Sequence, residues 1–195
     1  QVAAWFPRLA VYSDYEGWHT QPFLGAGEFG LEFGDYDVSL TVPDDHVLAA
    51  TGELINAEEV LDSTRRARLK AARQAAEPIH VVTPDEARLA QRGRPGGERT
   101  WHFRAEKVRD FAFASSRRFA WDAMGVAQND AGRPQVLAMS YYPPEASLLW
   151  GEHSTRSIAH ALKVYGEFLF PYPYPVAVAV NGPVDGMEYP MITFN

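Results

Sequence analysis

The chain has 195 residues, 46% of them hydrophobic and 22% charged, a globular composition with enough apolar material for one large domain or two small ones. A formal charge of −7 argues against a general affinity for nucleic acid phosphates, and no apolar run reaches the roughly 18 residues of a membrane span. The absence of cysteine excludes disulfides and thiolate chemistry without fixing a compartment.

The chain opens on Gln1 with no charged-then-apolar leader, which reads as a processed or excised form. Its first 56 residues are rich in aromatics, Gly and Val. Phe29, Leu31 and Phe33 alternate with Gly30 and Glu32, and Tyr36 to Val42 alternates as well, so both stretches predict strands. Pro43-Asp44-Asp45 predicts a turn, and Val47 to Ala50 a short strand ending near Gly52. Composition then shifts. Ala57 to Glu77 lacks Gly and Pro and is dense in Ala, Glu, Arg and Lys, which predicts a helix over about 57–76 with Asn56 as N-cap and Glu59 at its third position. Its apolar stripe is thin: Val60, Leu61 and Leu69. Pro84-Asp85-Glu86 opens a second short helix that ends before Gly93. Segment 57–97 is thus expected as a helical insertion in a β domain, peripheral to the core and removable at little cost in stability.

Strand patterns return at Trp101 to Ala105 and Phe111 to Ala114. Phe119 to Met124 and Val136 to Tyr142 predict an antiparallel pair around the polar turn Gln128 to Gly132. From Ser154, Ile158, Ala161, Leu162, Tyr165 and Leu169 recur at helical spacing, with Ser154 or Thr155 as cap. Pro171, Pro173 and Pro175 break that helix, and Val176 to Val180, β-branched at alternate positions, predicts a buried strand. The tail, Gly182 to Asn195, reads as a strand end, a Gly- and Pro-rich loop with a carboxylate, and a further strand cut short by the terminus.

Glu188 stands out by context. It follows Gly186 on a loop between two predicted strands, where backbone approaches ligands closely and functional side chains concentrate. A carboxylate there attracts an ammonium group at about 4 Å by roughly 4 kcal/mol at an effective dielectric near 20, before desolvation is subtracted. Context alone favours a solvated loop acid with no role.

Resemblance shifts that weighting. Gly186-Met187-Glu188 is similar to the Gly-x-Met-Glu-Asn motif of the family M-one zinc aminopeptidases, the relatives of aminopeptidase N. Asp185 stands where the motif's first Gly would be, and Tyr189 where its Asn would be. The resemblance implies that Glu188 anchors the substrate's free α-amine, with Gly186 and Met187 as cleft-lining backbone. Other stretches resemble the same family in order. Glu28 to Gly30, Asp35 to Val38, Pro43 and Ala50-Thr51-Gly52 resemble a strand pair and turn of its N-terminal β domain. Trp101, Val108 to Ala112 and Phe113 to Phe119 resemble that domain's last strands, and the helix from about Ser154 with Tyr172-Pro173 resembles the start of its catalytic domain.

The family's zinc site uses two His at i and i+4 around a water-activating Glu. None of the six His here forms H-E-x-x-H, and Glu152-His153 with His160 has a gap of seven that lacks the helical two-ligand geometry. No metal ligand is assigned to this chain, and zinc is implied for the parent protein through ligands further along. The basic run Arg65, Arg66, Arg68, Lys70 and Arg73 reads as a solvated helix face, with phosphate or partner binding as its sharper alternative. Trp18-His19 and Trp101-His102 read as core or edge packing, and the Tyr141-Tyr142 and Tyr172 to Pro175 stretches as strand and linker packing. Gly25-x-Gly27-x-x-Gly30 lacks the strand-turn-helix setting of a nucleotide fingerprint.

The expected fold is mainly β. It comprises a partial twisted β-sandwich over 1–119, the N-terminal domain of the aminopeptidase family with its helical insertion, and then the first α+β part of a thermolysin-like catalytic domain over 120–195. The expected function is that of a fragment of a zinc-dependent aminopeptidase, inactive by itself, whose parent takes peptides with a free N-terminus. The alternative is a non-catalytic β module that binds extended peptides along a sheet edge. Self-association through the last third of the chain is expected as well. A periplasmic or secreted parent is compatible with the sequence, which leaves the compartment open.

Overall fold

A computed structural model describes residues 2, 5–22, 30–128, 132, 134–184 and 186–195. The expected strand start at Phe29, the Gly25 and Gly27 positions, Glu28, most of the Gln128 to Gly132 turn, and Asp185 lie outside the described residues.

Among the described residues, thirteen strands and four α-helices follow one another. Strands β1 (Tyr12–Ser13) and β2 (Gly17–Trp18) form a small hairpin. Then come β3 (Gly34–Pro43), β4 (Val47–Ala50), β5 (Glu53–Leu54), α1 (Ala57–Val60), α2 (Ser63–Ala72), β6 (Ile79–Val82) and α3 (Pro84–Ala90). After these lie β7 (Glu98–Val108), β8 (Phe113–Ser116), β9 (Ala120–Val126) and β10 (Val136–Tyr142). The chain closes with α4 (Glu152–Phe168), β11 (Val176–Val180), β12 (Met187–Tyr189) and β13 (Ile192–Phe194). No helix among the described residues is long and apolar enough to cross a membrane.

Two small sheets, ordered β3-β7-β5 and β4-β8, face one six-stranded sheet ordered β12-β13-β11-β10-β9-β6. This mainly β arrangement is the fold class expected, and its logic is visible strand by strand. In β9, β10 and β11, alternate residues face opposite sides of the sheet. Trp121, Ala123, Leu137, Met139, Tyr141, Val176, Val178 and Val180 enter the main core with Leu48, Trp101, Phe103 and Phe111. On the other face, Met124, Val126 and Ala138 pack against Ala159, Ile158 and Leu162 of α4. Ala177 and Ala179, alternating with the valines of β11, are small enough for α4 to lie close to the sheet. Helix α4 is the crossover between the parallel pair β10 and β11.

The helix expected over 57–76 is two helices. Leu61 leaves helical geometry at φ −109°, ψ 140°, and Asp62 then caps α2 by accepting from the Arg65 amide. Asn56 does not cap with its side chain. It donates to Glu59 and to the Thr100 carbonyl and accepts from the His102 amide, which ties α1 to β7. Helix α3 begins at Pro84, and Thr83 and Glu86 close a reciprocal capping box there.

Segment 57–97 supplies its helices as expected, but its peripheral character is corrected. Val60, Leu61, Leu69, Ala72, Val81 and Val82 are all buried in the main core. Strand β6, absent from the sequence reading, pairs antiparallel with β9. The backbone carbonyl of Arg73 lies where a side chain on Gly125 would sit, 2.1 Å from its Cβ, so the end of α2 rests directly on β9. The thin stripe was read as too little area to bury, yet nearly every apolar residue on it is used.

Two expectations for the rest of the chain are also corrected. Residues 30–33 form no strand. Neither Ser154 nor Thr155 caps α4, which is entered through a 3-10 turn (Pro144–Ala146) and a π turn (Ser147–Gly151). Strand β11, expected as a buried strand, is buried along its whole length between the core and α4.

Candidate functional site

Gly186, Met187 and Glu188 open the edge strand of the six-stranded sheet. The loop before them is tied at its base: the Asn181 amide donates to the Tyr141 carbonyl, and the Gly182 amide to the Asn195 carbonyl. Gly186 has φ +105°, a conformation that a side chain disfavours, and it turns the chain into β12. Strand β12 pairs antiparallel with β13, Met187 opposite Phe194, Glu188 opposite Thr193 and Tyr189 opposite Ile192. The short connection holds Pro190 and Met191. Met191 has φ +63° and is nonetheless buried, so core packing holds a non-glycine residue in the left-handed region next to the site.

Cross-strand register determines which way these residues face. Glu188 pairs with Thr193, Thr193 with Ala179, Ala179 with Ser140, Ser140 with Asp122 and Asp122 with His80. This row lies on the α4 face of the sheet. Met187 and Tyr189 take the opposite face, where Tyr189 meets Phe194 edge to face at 5.9 Å. Burial raises the Tyr189 phenol pKa, and Asp110 adds to the rise against the opposing charge of Arg8. Arg8 and Asp110 form an ion pair at 2.9 Å that brings the N-terminal segment against this corner. Glu188 itself is exposed, and its carboxylate has no hydrogen bond or ion pair among the described residues. It offers a carboxyl group at a sheet edge whose outer backbone groups pair with no strand among the described residues.

The middle of the same row holds a buried polar cluster that the sequence reading missed. Asp122 is fully buried and accepts from the Tyr142 hydroxyl at 2.7 Å and from the Thr155 hydroxyl. Thr155 also bonds Ser140 at 2.7 Å, and Ser140 bonds Ser154 at 2.8 Å. Burial raises the Asp122 pKa, against the hydrogen bonds from Thr155 and Tyr142 that favour its charge. Burial likewise drives the Tyr142 phenol up. A lone Asp in the otherwise apolar run Ala120 to Val126 was the available signal. The hydroxyls of Ser154 and Thr155, read as caps, fasten α4 to this cluster instead.

Among the described residues no three His, Asp or Glu side chains converge as a metal-ligand set. Glu152, His153 and His160 are exposed along α4. The donors among the described residues therefore do not gather into a zinc centre, and no chemistry is assigned to a metal here. His46 bonds Ser115 at 2.8 Å and His102 bonds Asp37 at 2.6 Å. Trp101 is core, stacked on Phe103, whereas Trp18 sits edge to face with Tyr12 on the β1–β2 hairpin and is largely exposed.

No protein-family model matches the chain, and no curated protein sequence does. Solved structures do match. A Legionella pneumophila aminopeptidase A in complex with aspartic acid superposes with a TM-score of 0.51 at 11% identity, over 83% of this chain and 16% of that one. An M1 zinc metallopeptidase from Deinococcus radiodurans gives 0.46 at 16% identity, over 83% and 29%. A two-domain M1 zinc metallopeptidase variant bound to L-arginine gives 0.49 at 16% identity over the same shares. The chain spans less than a third of the length of these proteins. At such identities the likeness is one of fold: the chain is similar in architecture to part of an aminopeptidase.

Proposed function

We propose that this chain is the N-terminal β domain and the first part of the catalytic domain, over 1–119 and 120–195, of a zinc-dependent aminopeptidase. In that reading Glu188 holds the substrate's free α-amine. The observation that carries it is the unpartnered Glu188 carboxylate on the edge strand β12, immediately after the left-handed Gly186. An extended peptide adding to that edge hydrogen-bonds to β12 backbone while its ammonium group meets Glu188. Fixing the amine fixes the scissile carbonyl relative to the remaining machinery, a proximity and orientation effect. Zinc is proposed for the parent protein with ligands outside this chain. The residues of this chain act on the amine end of the substrate, and the chain alone is proposed to be inactive.

The test is Glu188→Ala in the full-length parent. An unpaired substrate ammonium loses a charge-assisted contact of roughly 1.5–3 kcal/mol, so kcat/KM on aminoacyl substrates falls about 10- to 150-fold. Zinc content stays unchanged. An unaltered kcat/KM removes Glu188 from the site. The open β12 edge also suits a module that binds extended peptides without cleaving them. A parent that binds N-terminally acetylated and free peptides equally and hydrolyses neither would establish that second reading.

A further inference from the structure

The basic run on α2 divides into two sets. Arg65 pairs with Asp62 at 3.4 Å, and Arg68 bonds Glu86 through both carboxylate oxygens at 2.8 and 3.0 Å. Lys70 and Arg73 make no ion pair among the described residues, and both are exposed. These two line the mouth of a cavity of about 390 Å3 between the six-stranded sheet and the N-terminal strands. Its inner lining is apolar and includes Phe103, Trp121, Met139, Tyr141 and Val178, each of which keeps 8% or less of its surface accessible. Arg66, also on the rim, is bound to the Glu58 and Leu61 carbonyls, which leave its charge unneutralised. Glu53 and Glu58 complete the rim, so three cations face two carboxylates.

Interiors are normally packed without such gaps, and water is held poorly by a wall that offers few polar partners. The volume lies in the range of roughly 300–1,000 Å3 typical of small-ligand sites. From the apolar wall and the excess of positive charge at its mouth, we propose that this cavity binds a medium-chain carboxylate. The hydrocarbon points toward Trp121 and Met139, and the head group meets Lys70 in the last turn of α2 and Arg73 at its C-cap, three residues apart. The site faces the main core, on the opposite side of the sheet from Glu188, and is independent of the peptidase reading.

The probe is decanoate, titrated into the full chain while the indole N–H resonances are followed, with Trp121 assigned by its loss in Trp121→Phe. A saturable shift of the Trp121 resonance is expected, with Trp5 and Trp18 unmoved. Decylammonium at equal concentration binds at least about tenfold more weakly. Lys70→Ala/Arg73→Ala weakens decanoate about five- to tenfold, an effect that shrinks as salt is raised. Both positions are exposed and alanine favours helix, so this variant keeps its melting temperature. Ala67→Trp, at the mouth, blocks binding. Equal binding of decylammonium, an unaffected double variant, or a Trp121 resonance that does not move would each overturn the assignment.

Discussion

Asp122 shows what a single residue decides here. A fully buried carboxylate is costly unless it is hydrogen-bonded, and its two donors come from β10 and α4. Thr155→Val removes one donor at nearly constant shape and should lower stability by about 1–3 kcal/mol in urea denaturation. The pH dependence follows from the raised pKa. The native state holds its proton to higher pH than the unfolded chain, whose Asp titrates near 3.9. Stability from this group is therefore complete below the unfolded pKa and is lost as pH rises through the higher native pKa. Asp122→Asn abolishes that contribution. Wild-type stability minus Asp122→Asn stability should thus decline as pH increases from about 3.9, and a flat difference in paired urea midpoints would contradict it.

At the scale of elements, segment 57–97 behaves as part of the fold. It contributes β6 to the large sheet and six buried apolar side chains to the main core. Each such side chain contributes roughly 1.5–3 kcal/mol when fully buried, less for Ala. Replacing 57–97 by a Gly-Ser linker should therefore abolish the cooperative unfolding transition, as read by circular dichroism during heating. Periodicity revealed the helices of this segment because it is a local property. It could not reveal β6, whose four residues, Ile79 to Val82, become a strand by pairing with β9 some forty residues later.

At the scale of the whole molecule, the end of α4 presents a strongly apolar surface. Tyr165, Phe168, Leu169 and Phe170 at the end of α4 are 62%, 81%, 70% and 65% exposed. Tyr165, Leu169 and Phe170 border a groove of about 550 Å3 between α4 and the β12–β13 hairpin, with Phe168 beside them on the helix. Apolar patches of several hundred Å2 usually find a partner. The isolated chain should therefore self-associate, and Phe168→Glu/Leu169→Glu should return it to a monomer in light scattering across a concentration series. A wild-type chain that stays monomeric at every concentration would count against this surface as the contact.

The same scale separates what sequence and tertiary structure each determined. Period-two and helical patterns were sufficient for β3, the β9–β10 pair, α4 and β11, because each pattern reports which side of one element is apolar. The residue types of Gly186-Met187-Glu188 are local facts, but Met187 and Glu188 lie in strand β12 rather than on the expected loop, because pairing with β13 draws them into the sheet. The tertiary structure alone decided that Asp122 is buried beneath Thr155, that Arg65 and Arg68 are paired while Lys70 and Arg73 border a cavity, and that Glu188 stands at a free sheet edge. Each of these depends on partners brought together from distant parts of the chain, and hydrophobic periodicity carries no information about which distant partner will arrive.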